Sequence, residues 1–332
     1  MVCFRFAPSP PASLYIGNAL SAVANRRFGY WMLLRIDDTD PARNVAGGEQ
    51  AILRDLEWIG VTWDEGPARQ SERAERHLEA AAMLGARFDG ITLVREGGTP
   101  TYHLASVVDD IDFAITHIVR GNDHRPNEAL HRRLFEALGA TPPELVHHGL
   151  ILGPDGKKLA KRAAGATVAS LREAGIPAEA VRRYLEELGM PSHDVRYDLR
   201  RIRRLAIDAI ASMPDEELAE RVDAPREVVP ALRGARDLHE ARAYAEAILT
   251  PPRKPEVPGE RGAATLARFR ELLERTNGAL DARALVRELK AVGGDLRAVR
   301  LALTGQERGP ELWAVIAALP REETLRRVDA AL

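Results

Sequence analysis

Residues 4–20, FRFAPSPPASLYIGNAL, decide the fold. Together with Val2 and Cys3 their first part reads as a strand over 2–7 that stops at Pro8. A helix is expected from about Gly17 to about Gly29, and WMLLRI at 31–36 reads as the next strand. Strand, loop, helix and strand in that order open a parallel α/β sheet. A strand end that runs into a helix N-terminus offers free backbone N–H groups and a partial positive charge, which suits an anion. In such sheets ligands bind beyond the carboxyl ends of the strands. Gly17, with no Cβ, would let a ligand approach the backbone there.

Outward from that stretch the pattern continues. In GEQAILRDLEWIG, Ile52, Leu53, Leu56 and Ile59 share a helical face and Gly60 stops it. RQSERAERHLEAAAMLGAR at 69–87 reads as another helix. ITHIVRG (115–121) and LVHHGLIL (145–152) read as strands, with a helix over 127–138 between them. From about Thr167 the chain is nearly all helix. Pro177 marks one helix start, with Val181, Tyr184, Leu185 and Leu188 on one face. In LRRIRRLAIDAIASM, Leu199, Ile202, Leu205 and Ala209 can face a core while Arg200, Arg201, Arg203 and Arg204 point elsewhere. TPPRKPEVPGERG at 250–262 is rich in proline and charge and reads as a linker. The expected organisation is an α/β domain over 1–165, a helical domain over 166–250, a linker over 251–262 and a small helical domain over 263–332.

A chain of 332 residues with 45% hydrophobic and 29% charged residues is long enough for two or three globular domains. Its net charge of −2 means that any nucleic-acid contact must come from local basic patches. The single cysteine, Cys3, excludes an internal disulfide and a cysteine-based zinc site. The chain shows neither a secretory leader pattern nor an apolar run of membrane length, so a cytoplasmic location without membrane contact is expected.

The chemistry lies in the first stretch and in GPDGKKLAKR at 153–162. A glycine-rich loop carrying Lys157, Lys158, Lys161 and Arg162 can close over a polyphosphate and stabilise charge on a leaving group. Asp109, Asp110 and Asp112 could hold Mg²⁺, although solvation or capping at a helix end accounts for them as well. His117, His124, His131, His147 and His148 show no zinc-ligand spacing.

The blocks RFAPSP, RIDDTDPARN, AILRDLEWIGVTWDEGP, RQSER, TPTYHLASVVDD, ITHIVRGND and LILGPDGKKLAKR, in this order, resemble the glutamyl-tRNA synthetase family, a branch of the class I aminoacyl-tRNA synthetases. The resemblance implies a Rossmann-like parallel-sheet catalytic domain followed by all-α helical domains, contacting the tRNA stem and then its anticodon. It implies that Arg5 grips the side-chain carboxylate of glutamate, that Ala7 and Ser9 line the same pocket, and that Asp37 holds the ammonium group. Tyr102, Arg120 and His124 would close that pocket, Arg120 as a second carboxylate partner. Pro8, Gly17, Asn18, Asp123, Leu152, Lys158 and Lys161 would bind ATP, with Tyr15, Lys158 and Lys161 acting in catalysis. ATP enters with Mg²⁺ as substrate, and no structural zinc is implied.

The chain departs from the family pattern around one nucleotide. Tyr15 replaces the first signature histidine, Pro11 a threonine, Ala160 a serine and Leu20 an arginine. Losing one donor to a transition state costs about 2.7–4 kcal/mol. Asp37 stands where glutamate is usual, one methylene shorter. Between RQSERAERHLEAA and REGGTPTYHL only AMLGARFDGITLV stands where the family has the insertion that receives the acceptor end of tRNA. The expected function is activation of glutamate as an adenylate and transfer to tRNA, by a monomer with a reduced tRNA surface. Two alternatives stand beside it: activation for an acceptor other than tRNA, and a non-catalytic protein that binds RNA or an amino acid.

Overall fold

The structure, a computed structural model, describes residues 2–9, 13–160, 163–253, 259–276 and 280–332. It divides into two units, Met1–Glu173 with Val181–Arg201, and Ala174–Ala180 with Ile202–Leu332. The first opens with β1 (Cys3–Phe6), α1 (Ile16–Phe28), β2 (Trp31–Ile36), α2 (Gly48–Trp58) and β3 (Glu65–Arg69). Then come α3 (Ala74–Leu84), a hairpin of β4 (Arg87–Phe88) and β5 (Ile91–Thr92), α4 (Tyr102–Asp112), β6 (His117–Gly121), α5 (Glu128–Ala137) and β7 (Glu144–His148). β8 (Ile151–Leu152) and β9 (Val195–Arg196) pair in a small parallel sheet of their own. Three helices, α6 (Val168–Glu173), α7 (Ala178–Leu188) and α8 (Leu199–Ser212), lie in the stretch where the chain passes between the units.

The main sheet is ordered β3-β2-β1-β6-β7 and is parallel throughout. The chain works outward from β1 in one direction and then returns to β1's other side. A crevice is therefore expected where β1 and β6 end. Register sorts the side chains around it. Arg5 lies opposite Leu33, Phe4 opposite His117, and Arg120 opposite His147. Because strand side chains alternate, Arg5, Leu33, Arg35, Ile118, Arg120 and His147 share one face of the sheet. Phe4, Phe6, Leu34, Val119, Gly121 and His148 share the other.

The second face is covered by α1, which packs on β1, β2 and β6. Asn25 fastens it: fully buried, it donates to the Val119 carbonyl at 2.9 Å and accepts from the Val119 N–H at 3.3 Å. On the first face Leu33, Ile115 and Ile118 form a small apolar core. Leu104, Val107, Leu134 and Phe135 join α4 and α5 to α3 in another.

The second unit is all helix beyond α8: α9 (Asp215–Val222), α10 (Val229–Leu232), α11 (Leu238–Leu249), α12 (Gly259–Arg275), α13 (Ala282–Ala291), α14 (Leu296–Thr304), α15 (Leu312–Ala318) and α16 (Arg321–Ala331). Leu266, Phe269, Leu273, Leu289, Leu303 and Val315 are central to its core. Among the described residues no helix is long and apolar enough to cross a membrane.

The Rossmann-like sheet followed by helices is the architecture expected from the sequence, with differences in detail. The strand expected over 145–152 is two strands. Gly149 and Leu150 separate them: the Gly149 N–H turns to the Pro191 carbonyl at 2.7 Å, and the His193 carbonyl lies where a Cβ at 149 would sit, so only glycine fits. The start of the helix expected over 69–87 is a 3₁₀ turn at Gln70–Arg73, and Gly85 ends α3. β3 was not anticipated, and of α4 only its acidic end was read, as a helix end. Of the expected linker, 254–258 lie outside the described residues, and α12 begins at Gly259.

Candidate active site

A cavity of about 330 Å³ opens at the carboxyl ends of β1 and β6. Its walls include Arg5, Ala7, Pro8, Ser9, Tyr15, Gly17, Asn18, Asp37, Tyr102, Arg120, Asp123, His124 and Lys158. The expected site residues thus meet at one place, with two exceptions. Leu152 does not line the cavity, although its neighbours Leu150 and Ile151 do. Lys161 lies outside the described residues, as do Pro11 and Arg162.

The convergence of two distant segments has a visible cause. The Ile16 N–H donates to the Ala166 carbonyl at 3.1 Å, and the Val168 N–H to the Leu14 carbonyl at 2.9 Å. Chain that follows the lysine loop thereby pairs with chain that precedes α1. Asp55 of α2, fully buried, secures the same segment by accepting from Ser13 Oγ at 2.5 Å and the Leu14 N–H at 2.9 Å. The residue before α1, Tyr15, makes no side-chain cap bond to its first turn, and Gly17 and Asn18 of that turn line the cavity. A Cβ at Gly17 would meet nothing within 4 Å, so the glycine leaves open space and its φ is ordinary.

The lysine loop is a tight turn. The Gly156 N–H donates to the Gly153 carbonyl at 3.0 Å, and Gly156 takes a φ of +75°, which suits glycine. Lys158 Nζ contacts Asp123 Oδ2 at 2.6 Å. Burial alone would raise the Asp123 pKa; the Lys158 hydrogen bond and nearby positive charges hold it below the usual carboxylate range.

On the first face of the sheet the charges form a buried network. Arg5 donates from Nε to Asp110 Oδ1 at 3.1 Å, and Arg35 from Nη1 to the same oxygen at 2.7 Å. Arg35, fully buried, also grips Asp37 with Nε at 2.7 Å and Nη2 at 3.3 Å. Burial pushes the Asp37 carboxyl up, against the pull of Arg35. Asp109 accepts from Arg73, Gln70 and His77, and Asp112 from Arg73 and Arg76. The acidic cluster read as a possible Mg²⁺ site is thus engaged with arginines. Among the described residues, no group of three or more His, Cys, Asp or Glu is placed to hold a metal ion.

Arg120 differs from the other two arginines. It is 6% exposed, and its Nε donates to His147 Nε2 at 3.3 Å. Its terminal Nη1 and Nη2 are buried with no hydrogen-bond partner among the described residues. Burial draws its pKa down. A guanidinium does not release its proton, so it remains a charge in need of a counter-ion. Arg5, expected as the leading carboxylate partner, already holds Asp110. Tyr102 and His124 complete this side, their rings 6.5 Å apart, and burial keeps His124 neutral by lowering its pKa.

Sequence reasoning missed Arg35, Asp110 as a structural partner, Ser21 and His148. Arg35 carried a signal, since it lies two residues before Asp37 and strand alternation puts both on one face.

The family described as "tRNA synthetases class I (E and Q), catalytic domain" matches residues 1–87 and 84–209, and an anticodon binding domain matches 260–332. A glutamate–tRNA ligase of Rubrobacter xylanophilus is 34% identical over 421 aligned positions, covering 98% of this chain and 97% of that protein. One from Akkermansia muciniphila is 30% identical over 427 positions, covering 99% and 98%. Both alignments exceed the chain's 332 residues, so each relative carries stretches that this chain lacks. The catalytic-domain match is broken at 84–87, beside the β4–β5 hairpin. The crystal structure of a glutamate tRNA ligase from Elizabethkingia meningosepticum, in complex with its amino acid, has the same fold: TM-score 0.77 at 22% identity, over 99% of both chains.

Proposed function

The chain is a shortened member of the class I tRNA synthetase family for glutamate and glutamine, and from that premise we propose that it activates glutamate with ATP and transfers it to tRNA. The observation that supports the reading is Arg120, a residue of the cavity lining whose guanidinium is buried and whose two terminal nitrogens have no hydrogen-bond partner among the described residues. An acidic side chain is the ligand that satisfies it, through a planar two-point bond. Arg5, held by Asp110, shapes that pocket, and Asp37, held by Arg35, offers its remaining lone pairs to an ammonium group.

The nucleotide belongs on the opposite face, against the first turn of α1, with Lys158 reaching the phosphates once it leaves Asp123. The glutamate carboxylate attacks the α-phosphate of Mg·ATP, the bond to the β-phosphate breaks, and pyrophosphate departs. The acyl group of the adenylate then passes to a tRNA hydroxyl and AMP leaves. No side-chain nucleophile takes part; positioning and charge carry the chemistry. Tyr15 stands at the mouth of α1, where its hydroxyl can meet phosphate. The domain roles that fit are catalysis over 1–165, stem contact over 166–250 and anticodon contact over 263–332, in a cytoplasmic monomer.

Glutamate-dependent exchange between pyrophosphate and ATP tests this, run with and without tRNA. Arg120→Met removes a charge-assisted bond of about 1.5–3 kcal/mol and should raise KM for glutamate roughly 10- to 100-fold. A wild-type protein that shows no exchange, and is not thermally stabilised by ATP with glutamate, sinks the proposal. The β4–β5 hairpin favours a second reading, in which the acyl group goes to an acceptor other than tRNA. Exchange without tRNA charging would mark it.

A further inference from the structure

Ser21 and His148 line the cavity on the α1 face, and no step above uses them. His148 ends β7 and is 3% exposed. Its Nδ1 lies 2.9 Å from the Gly149 carbonyl, and its Nε2 lies 2.7 Å from Ser21 Oγ. A carbonyl only accepts, so Nδ1 carries the proton. Burial lowers the His148 pKa and keeps the ring neutral. Nε2 is therefore an acceptor, and the Ser21 hydroxyl must donate to it. Among the described residues the one other acceptor within reach of that hydroxyl, the Gly17 carbonyl, is at 3.4 Å. With its single proton committed, Ser21 can offer the cavity lone pairs and nothing else.

Ser21 lies one helical turn beyond Gly17, deeper along α1 than the first-turn N–H groups that suit phosphate. The same cavity is lined by Val119, Leu150 and Ile151, apolar residues suited to a flat ring. We propose that the Ser21–His148 pair reads the base of the bound nucleotide, presenting a fixed acceptor that takes a 6-amino group and rejects a 6-oxo group. This rests on the reading that a nucleoside triphosphate occupies this face. Inosine triphosphate is the matched probe, because it differs from ATP only in carrying an oxo group at C6 and a proton on N1.

Direct binding by calorimetry, which needs no turnover, measures ATP against inosine triphosphate on the full chain. Wild type should bind ATP roughly 10- to 100-fold more tightly, the cost of facing two unpaired acceptors with each other. Ser21→Ala should bring the two nucleotides within about threefold, chiefly by weakening ATP. His148→Met, which keeps a side chain of similar bulk, frees the Ser21 proton to turn toward an oxo group and should strengthen inosine triphosphate. Unchanged thermal melting of both variants confirms that they fold. A preference kept at the wild-type level in Ser21→Ala overturns the assignment, and an unaltered ratio in His148→Met overturns the relay. Equal wild-type affinities refute the inference and leave the ligase reading intact. Binding of neither nucleotide removes both.

Discussion

Replacing Asp110 with asparagine tests the charged network beneath the cavity. The substitution keeps shape and volume, so it opens no void. It changes one thing: the carboxylate that accepts from Arg5 at 3.1 Å and from Arg35 at 2.7 Å becomes an amide. Asp110 is 3% exposed and Arg35 fully buried, so water does not take its place. An amide has one acceptor oxygen, and its NH₂ turned toward a guanidinium sets donor against donor. Removing one member of a buried pair costs about 3–5 kcal/mol, because the partner's charge is left uncompensated. Unfolding in urea should therefore begin about 1–2 M earlier. Tryptophan fluorescence follows it in a Trp313→Phe background, where Trp31, Trp58 and Trp63 report the first unit alone. Removing Arg5 as well, in an Arg5→Met and Asp110→Asn double variant, should restore part of the loss, since one stranded cation is gone. A loss below about 1 kcal/mol, or a double variant no better than the single one, would refute the claim that these charges hold one another in place.

Two further predictions concern pH. Burial would push Asp109 up, but the His77 and Arg73 hydrogen bonds and the Arg35 charge hold it at about 2, below its ordinary 3.8. Its contribution, about 2 kcal/mol, is then present above pH 4 and lost as pH falls toward 2; Asp109→Asn should flatten acid unfolding in that window, followed by circular dichroism. His131 is held down to about 3 by burial, with Arg120 and His103 adding to the effect. The unfolded chain takes up that proton near pH 6.5, so stability is whole above that value and erodes as pH falls toward 3. His131→Asn should reduce the dependence of the urea midpoint on pH between about 6 and 4, and a slope equal to wild type would contradict the assignment.

Much of the frame was readable because it rests on local patterns. The strands at 2–7 and 31–36 and the helix between them follow from short apolar runs punctuated by proline and glycine. β3 was hidden because EGPAR reads as a turn, yet it pairs with β2 through an irregular register. The break at Gly149 could not be seen, since the carbonyl that forbids a side chain there belongs to His193, far along the chain. The site divides in the same way. Residues near the two loops were found, because loop chemistry is encoded locally. The distinction between Arg5 and Arg120 was not, because it turns on Asp110, which lies 105 residues from Arg5 and reads in isolation as a helix-end carboxylate. His148 looked like an ordinary histidine for the same reason: only the fold brings Ser21 to it.

The β4–β5 hairpin carries one more consequence. The Leu93 N–H donates to the Ala86 carbonyl at 2.8 Å, so the chain leaves α3 and returns almost to its point of departure. Such a place behaves as a socket. A segment of any length can be plugged in or withdrawn there without altering strand order, the parity of side chains along β6, or the seat of Arg120. The match to the catalytic-domain family is interrupted at this same short bridge, at 84–87.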